Sequence, residues 1–344
     1  MGGMAILSVV IPAFQAERTI AACLDSLLCT QVAKAGRMQI IVVDDGSTDD
    51  TAEICSSYAQ QDEIVLLRQR NEGRSSARNV GVEACSGDWV TFVDADDEVA
   101  PQGFSEALKL LGKGGFDVLQ TAFGSSHGSG RVEQFDGSEV ARHIALNGMA
   151  GSPDLLAWAA DSVMFRAVWA KFYRKTVLHR VRFGVGLRFG EDALFNIQCL
   201  QGAHVVCADF TTYYHDVNAG GTSATYSESD FGSLDRLLDA AAPVFRDAGY
   251  GDRALREFVG LDAYYRFQMA AEKGVRGQDV CAMIEGLPDV KASLASLANA
   301  QTPLATRNRP ALLLLARGDV AGAYRITRAL QLLKAALRRG KCCV

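Results

Sequence analysis

No apolar run in the 344-residue chain approaches the roughly 18 residues that a membrane span requires. The longest, around Ala5–Val10 and Ala311–Ala316, have the length of a strand or of a helix core. The opening MGGMAILSVVIP has neither a basic start nor room for a signal peptide, and Ile6 stands where a myristoylation motif needs Ser or Thr. The closing KCCV has Lys341 where a prenylation box needs Cys. Nine cysteines include no C-x-x-C pair, which argues against a zinc ribbon or a disulfide framework and for a reducing cytoplasm. Repeats and low-complexity linkers are missing too. What is present, 49% hydrophobic and 22% charged residues, suffices for a sizeable core in one large domain or two ordinary ones.

The net charge of −5 is unevenly spread. From Arg307 onward nine basic residues face a single acid, Asp319, so this tail carries +8 and the preceding part −13. Such asymmetry suggests an acidic body with a basic attachment surface. Within the tail, Ala321–Arg339 is amphipathic, with Ile326, Leu330, Leu333, Ala336 and Leu337 set against its basic residues. It either lies on an anionic membrane surface or packs on the protein's own core. Aromatic interleaving is lacking, so nucleic acid is not an expected partner.

The first third alternates strand and helix. Ile6–Ile11 is an apolar run that Pro12 should stop, and Arg18–Leu28 puts Ile20, Leu24, Leu27 and Leu28 on one helical face. Gln39–Val43 is a second buried strand, after which GSTDDT opens a helix with cap residues and early Asp. Ile64–Leu67, a helix over Ser75–Cys85 and a strand at Trp89–Val93 follow. This alternation means βαβ units and a mostly parallel sheet. Further on, residues 116–123 read as a strand, 124–131 as a loose turn and 166–180 as helical pieces. Residues 186–202 read as a loop running into a helix, HVVCAD and TTYYHD as two short strands, and the chain from about Asp230 as helical.

Two of these strands end in acid, at Asp44–Asp45 and at Asp94, Asp96 and Asp97. In open parallel sheets ligands bind outside the carboxyl ends of the strands, so both clusters are expected in one crevice. Three carboxylates in four positions repel one another unless a metal, an arginine or water relieves them. Asp-x-Asp at a strand's end suits Mg²⁺ or Mn²⁺, which take one or two carboxylates and complete their shell with water and phosphate oxygens.

SVVIPAFQAERTIAACLDSLLCTQ, IIVVDDGSTDDT, NEGRSSARNVGVEACSGDWVTFVDADD and RFGEDALFN together resemble the inverting family 2 glycosyltransferases of GT-A fold. The resemblance is close over residues 6–104 and looser over 165–226. It implies an α/β nucleotide-diphospho-sugar transferase-like fold, a mostly parallel sheet flanked by helices, over residues 1–227, with a nucleotide-binding half (1–115) and an acceptor-binding half (116–227). A helical C-terminal region, 228–344, follows. By resemblance Pro12, Ala13 and Phe14 cradle the nucleotide base, with Gln15 where many members have Asn. Asp45 accepts from the uracil ring nitrogen, beside Asp44. Asn71 and Arg78 lie near the nucleotide and its pyrophosphate, as do Asp94 and Ala95. Asp94 and Asp96 bind Mn²⁺ or Mg²⁺, with His215 near the metal or diphosphate, and Asp97 supports the turn. Asp192, beside Glu191, is the catalytic base.

The resemblance further implies a UDP-sugar donor and a carbohydrate or lipid-linked saccharide acceptor, in cell-surface polysaccharide or glycolipid synthesis. The expected location is the cytoplasm, peripheral on the inner face of the plasma membrane. A non-catalytic carbohydrate-binding or scaffold protein that kept the fold is the alternative. A nucleotidyltransferase would show a glycine-rich basic loop after the first strand, and IPAFQAE has none. Residues 217–226 suggest a lid hinged at Gly220–Gly221. Trp158, Trp169 and Tyr173 either stack on an acceptor sugar or pack in the core.

Overall fold

The apolar runs of the first hundred residues become β1 (Leu7–Ala13), β2 (Met38–Asp44), β3 (Val65–Arg68) and β4 (Trp89–Phe92). They pair in the order β3-β2-β1-β4, all parallel. β1, β2 and β4 are buried along most of their length, which continuous Val and Ile runs, rather than alternating ones, foretell. Helices α1 (Ile20–Leu28), α2 (Gln31–Lys34), α3 (Thr51–Ala59) and α4 (Arg74–Glu83) are the crossovers. The chain moves outward from β1 to β3 and then returns to β4 on the other side of β1. That reversal opens the crevice at the strands' carboxyl ends. The computed structural model describes residues 7–127, 131–135, 166–216, 233–275, 279–280, 282, 284, 287–300 and 303–329.

Pro12 does not end β1, which runs on to Ala13 in register with Asp44. Val10 pairs toward β4 through its carbonyl and Ala13 toward β2, so Pro12 faces the β4 side, beyond the last β1–β4 pair at Val10 and Phe92. Its missing N–H is therefore not needed for the ladder. Helix α4 lies close on β1: a Cβ on Gly81 would come within 2.3 Å of Val10 Cγ1.

The remaining elements of this unit are β5 (Glu98–Val99), α5 (Pro101–Lys113), β6 (Val118–His127), β7 (Arg131–Phe135), β8 (Lys171–Arg174), α6 (Lys175–Leu178), α7 (Glu191–Leu200) and β9 (Val205–Asp216). They extend the sheet as β4-β8-β6-β9-β5, with β7 on β6. Here β8 is antiparallel to both β4 and β6, whereas β6 and β9 are parallel. Three local expectations change. Lys171–Arg174, within the stretch 166–180 expected as helical pieces, is a strand, because Phe172 and Tyr173 suit a strand and both of its edges find a partner. Residues 124–127 continue β6 and pair with β7 instead of forming a loose turn. The two short strands expected before residue 217 are one, β9, whose register against β6 shifts near Gln120 and Ala122.

Among the described residues, those before 187 together with 191–216 form one compact unit, and 187–190 with those from 233 onward form another. The second unit is built of α8 (Leu234–Asp247), α9 (Asp252–Glu272), α10 (Pro288–Ala298) and α11 (Pro303–Ala316). Leu237, Phe245, Phe258, Phe267 and Leu294 are buried in it. No helix among the described residues is long and apolar enough to cross a membrane. The basic tail beyond residue 329, the segment 217–226 and Trp158 lie outside the described residues.

Candidate functional site

β4 runs straight into the turn that carries the three carboxylates, and each meets a different fate. Asp97 is buried and fully engaged. Its Oδ1 accepts from the Asp216 N–H at 2.7 Å, its Oδ2 accepts from Tyr213 Oη, and His215 Nδ1 lies 3.1 Å from Oδ1. Burial raises its pKa, against the His215 bond, and the same bond raises the pKa of His215. Tyr213 Oη also accepts from the Asp94 N–H at 3.2 Å, so one phenol holds both ends of the turn. Tyr213 stacks on Trp169 with ring centroids 4.8 Å apart, and His215 stacks on the same indole at 5.8 Å. Trp169 and Tyr173 are both buried and belong to the core.

Asp94 Oδ1 accepts from Arg78 Nη2 at 2.8 Å. Burial works against its charge, but Arg78 and Arg74 hold its pKa below the usual carboxylate range. Asp96 has no salt-bridge partner among the described residues. Burial, then Asp94 and Asp97, push its pKa up to about 6. The partners that meet this turn are thus an arginine and a histidine, and one carboxylate, Asp96, is left without either.

Arg78 also reaches the other end of the site. Its Nη1 donates to Asp192 Oδ1 at 2.7 Å, and the side chain is 0% exposed. Burial opposes its charge, but Asp192 and Asp94 outweigh burial and raise its pKa. Removing one partner of so buried a pair costs roughly 3–5 kcal/mol. Asp192 opens α7 and keeps 15% of its side-chain surface exposed. Beside it Glu191 is buried against Arg74, one turn before Arg78 on α4, and burial carries the Glu191 pKa upward. One turn along α7, Asn196 fastens the helix to the sheet. Its Oδ1 accepts from Tyr173 Oη at 2.6 Å and its Nδ2 donates to the Ala167 carbonyl at 2.9 Å.

At the end of β2, Asp44 Oδ1 accepts from the Ser47 N–H and its Oδ2 from Arg68 Nε. Asp45 accepts on Oδ1 from Gln69 Nε2 and the Glu72 N–H, and on Oδ2 from the Gly73 N–H. It thereby ties β2 to the loop 69–73, in which Asn71 is exposed. Ala13 and Ala95 are buried, Pro12 is partly buried, and Phe14 presents an aromatic face at 49% exposure. The structure therefore gathers Asp94, Asp192 and Arg78 on one guanidinium, and Asp94, Asp97 and His215 around one turn. Asp44 and Asp45 lie at the end of β2, two strands from β4 with β1 between, and Asn71 lies in the loop after β3.

Sequence reasoning gave no role to Arg74 or Tyr213. Arg74 and Arg78 stand four apart on one helix, and Tyr213 and His215 two apart on one strand, so each pair shares a face. Among the described residues no three His, Cys, Asp or Glu side chains converge as a ready-made metal cage. The donor set still fits a hard divalent cation, because Asp96 is a half-buried carboxylate without a salt-bridge partner among the described residues, beside Asp94. Such a cation would draw the rest of its shell from water and phosphate oxygens.

Residues 8–182, just over half the chain, match the model for glycosyl transferase family 2. The uncharacterized glycosyltransferase YibD of Escherichia coli (strain K12) is 35% identical over 186 residues, 53% of this chain and 52% of that protein. Poly(ribitol-phosphate) beta-N-acetylglucosaminyltransferase TarS of Staphylococcus aureus (strain MW2) is 27% identical over 263 residues, 73% of this chain and 43% of that protein. The chain spans only 35%, 58% and 52% of three of its curated relatives. Among solved structures, S. aureus TarS 1-349 matches with a TM-score of 0.61 at 21% identity, over 97% of this chain and 91% of that one. Mannosyltransferase PcManGT from Pyrobaculum calidifontis matches with a TM-score of 0.51 at 18% identity, over 96% and 88%.

Proposed function

Because the chain belongs to glycosyl transferase family 2 and has the GT-A fold, we propose that it moves a sugar from a UDP-sugar to an acceptor hydroxyl, inverting the anomeric centre. The observation that carries this reading is the placement of Asp192. It is a partly exposed carboxylate at a helix N-terminus, joined through one guanidinium to the Asp94–Asp97 turn. A base and a donor-side acidic turn, held a single side chain apart, suit an in-line displacement.

Asp192 takes the proton from the acceptor hydroxyl as that oxygen bonds to the anomeric carbon. The bond from that carbon to the diphosphate breaks on the opposite face, and UDP leaves with the electron pair. Asp94 and Asp96 would hold Mn²⁺ or Mg²⁺, which supplies Lewis-acid stabilisation of the leaving charge. His215 would turn Nε2 to the same place, since Asp97 takes Nδ1. Asp45 keeps a free lone pair on Oδ2 for an imide N–H, and the exposed Phe14 ring offers a stacking face. Glu191, buried against Arg74, anchors the start of the helix that carries the base.

TarS has been crystallised with UDP and with UDP-GlcNAc, and PcManGT with GDP-Man and Mn2+. Those complexes support a nucleotide-sugar donor and a divalent ion. The uracil preference rests on Asp45. An acceptor that is a saccharide or lipid-linked saccharide, met at the inner face of the plasma membrane, is the reading of the +8 tail.

Calorimetric titration of UDP with Mn²⁺ and again with EDTA, repeated on Asp96→Ala, tests the proposal. We expect binding that needs the metal and is lost in the variant, and then UDP release from a member of a UDP-sugar panel. Absence of UDP binding under both conditions would reject the UDP assignment and favour a non-catalytic protein of this fold.

A further inference from the structure

Arg78 is the most deeply enclosed cation of the site, and its contacts assign its work. Nη1 is bonded to Asp192 and Nη2 to Asp94, at 2.7 and 2.8 Å, and no part of the side chain is exposed. The guanidinium lies 5.2 Å from the centre of the Phe183 ring. Phe183 is itself clamped to α4: its N–H donates to Asn79 Oδ1 and its carbonyl accepts from Asn79 Nδ2. A phosphate oxygen would have to displace a carboxylate, or open this packing, before it met an N–H of Arg78.

We infer that Arg78 is a positioning residue, a two-pronged strut that fixes Asp192 relative to the Asp94 turn, and that it does not bind the donor's diphosphate. The inference rests on the roles proposed above for Asp192 and Asp94.

Three further features support it. The rigid fork of guanidinium holds two carboxylates on two separate elements at a fixed separation, which the single rotatable ammonium of a lysine does not. The two carboxylates come from widely separated parts of the chain, residue 94 after β4 and residue 192 at the start of α7, and Arg78 bonds to both. The strut has a firm seat at each end. Asp94 is held through its N–H by Tyr213. Asp192 rides on a helix pinned by Asn196 to Tyr173 and Ala167. Arg74, four residues earlier on the same helix, is 34% exposed and is the guanidinium of α4 open to solvent.

Two measurements test this. The first is a crystal structure of the unmodified protein soaked with UDP and Mg²⁺. Both amino groups of Arg78 should remain on Asp94 and Asp192; an Arg78 nitrogen within 3.2 Å of a phosphate oxygen, roughly hydrogen-bond range, would overturn the inference. The second is Arg78→Lys, which keeps the charge and loses the fork. We expect its UDP affinity with Mn²⁺ to stay within about threefold of the parent. Its kcat for UDP release from the donor found in the panel should fall by about 100-fold or more, the scale of a misplaced reactive group. A tenfold loss of UDP affinity at unchanged kcat would make Arg78 a diphosphate ligand instead. Failure of the parent itself to bind UDP would strike at the UDP assignment and leave the soaked structure empty. Arg78→Lys that binds and turns over like the parent would sink the strut alone.

Discussion

Gln15 shows how a residue that departs from a family pattern can settle in a demanding position. Its φ of 52° lies in the left-handed region, which Asn tolerates better than most residues. The longer amide compensates by reaching the loop after β2, where Gln15 Oε1 accepts from the Thr48 N–H at 2.8 Å and the Asp49 N–H at 3.3 Å. Lys171 makes a different point. It is buried, donates to the Ala167 carbonyl, and burial lowers its pKa from 10.5 to about 7. Between about pH 7 and 10.5 the unfolded chain then binds more protons at this site than the folded one. Its contribution to stability therefore rises with pH across that window, by at most about 1.4 kcal/mol per unit. Lys171→Met should flatten that rise in urea unfolding at pH 7, 8 and 9; an unchanged slope would mean that the ammonium keeps its ordinary pKa.

The site depends on where whole elements are seated. Helix α5 begins hard against β9, the strand that carries Tyr213 and His215: a Cβ on Gly103 would lie 1.8 Å from the Thr211 carbonyl oxygen. Backbone on both sides leaves no flexible atom to yield. Gly103→Ala should cost roughly 1–3 kcal/mol by overpacking, read as a lower urea midpoint at unchanged m-value. Loss of metal-dependent UDP binding should accompany it, because Tyr213 moves with β9. A midpoint shift of under about 0.5 kcal/mol, the scale of an ordinary surface change, would refute the close seating. β8 illustrates the limit of local reading. Its four residues, KFYR, are too few to show a strand's alternation by themselves, and pairing with β4 and β6 settles the matter.

For the molecule as a whole, a ligand that binds only the folded state must stabilise it. UDP at about 100 times its Kd should add roughly 2.7 kcal/mol, visible as a rise in Tm with Mn²⁺ that EDTA removes. A rise that survives EDTA would place UDP binding outside the Asp94–Asp96 turn. The family match ends at residue 182, short of Asp192 and His215. The motifs that single these two residues out, GEDALFN and TYYHD, therefore lie beyond the matched stretch.

The parallel half of the sheet and the acids at its edge were decided by the chain alone. A strand buried on both faces must be written as a continuous apolar run, and its end must be written in polar residues. What those acids face was decided only in three dimensions. Arg78 stands 16 positions from Asp94 and 114 from Asp192. No periodicity links residues so far apart, and a motif names a residue type without saying which of its possible partners burial will force upon it. The cation that answers the first of those carboxylates was present in the sequence throughout. Only the fold, which lays α4 on β1 and brings Asp94 and Asp192 to one guanidinium, made it theirs.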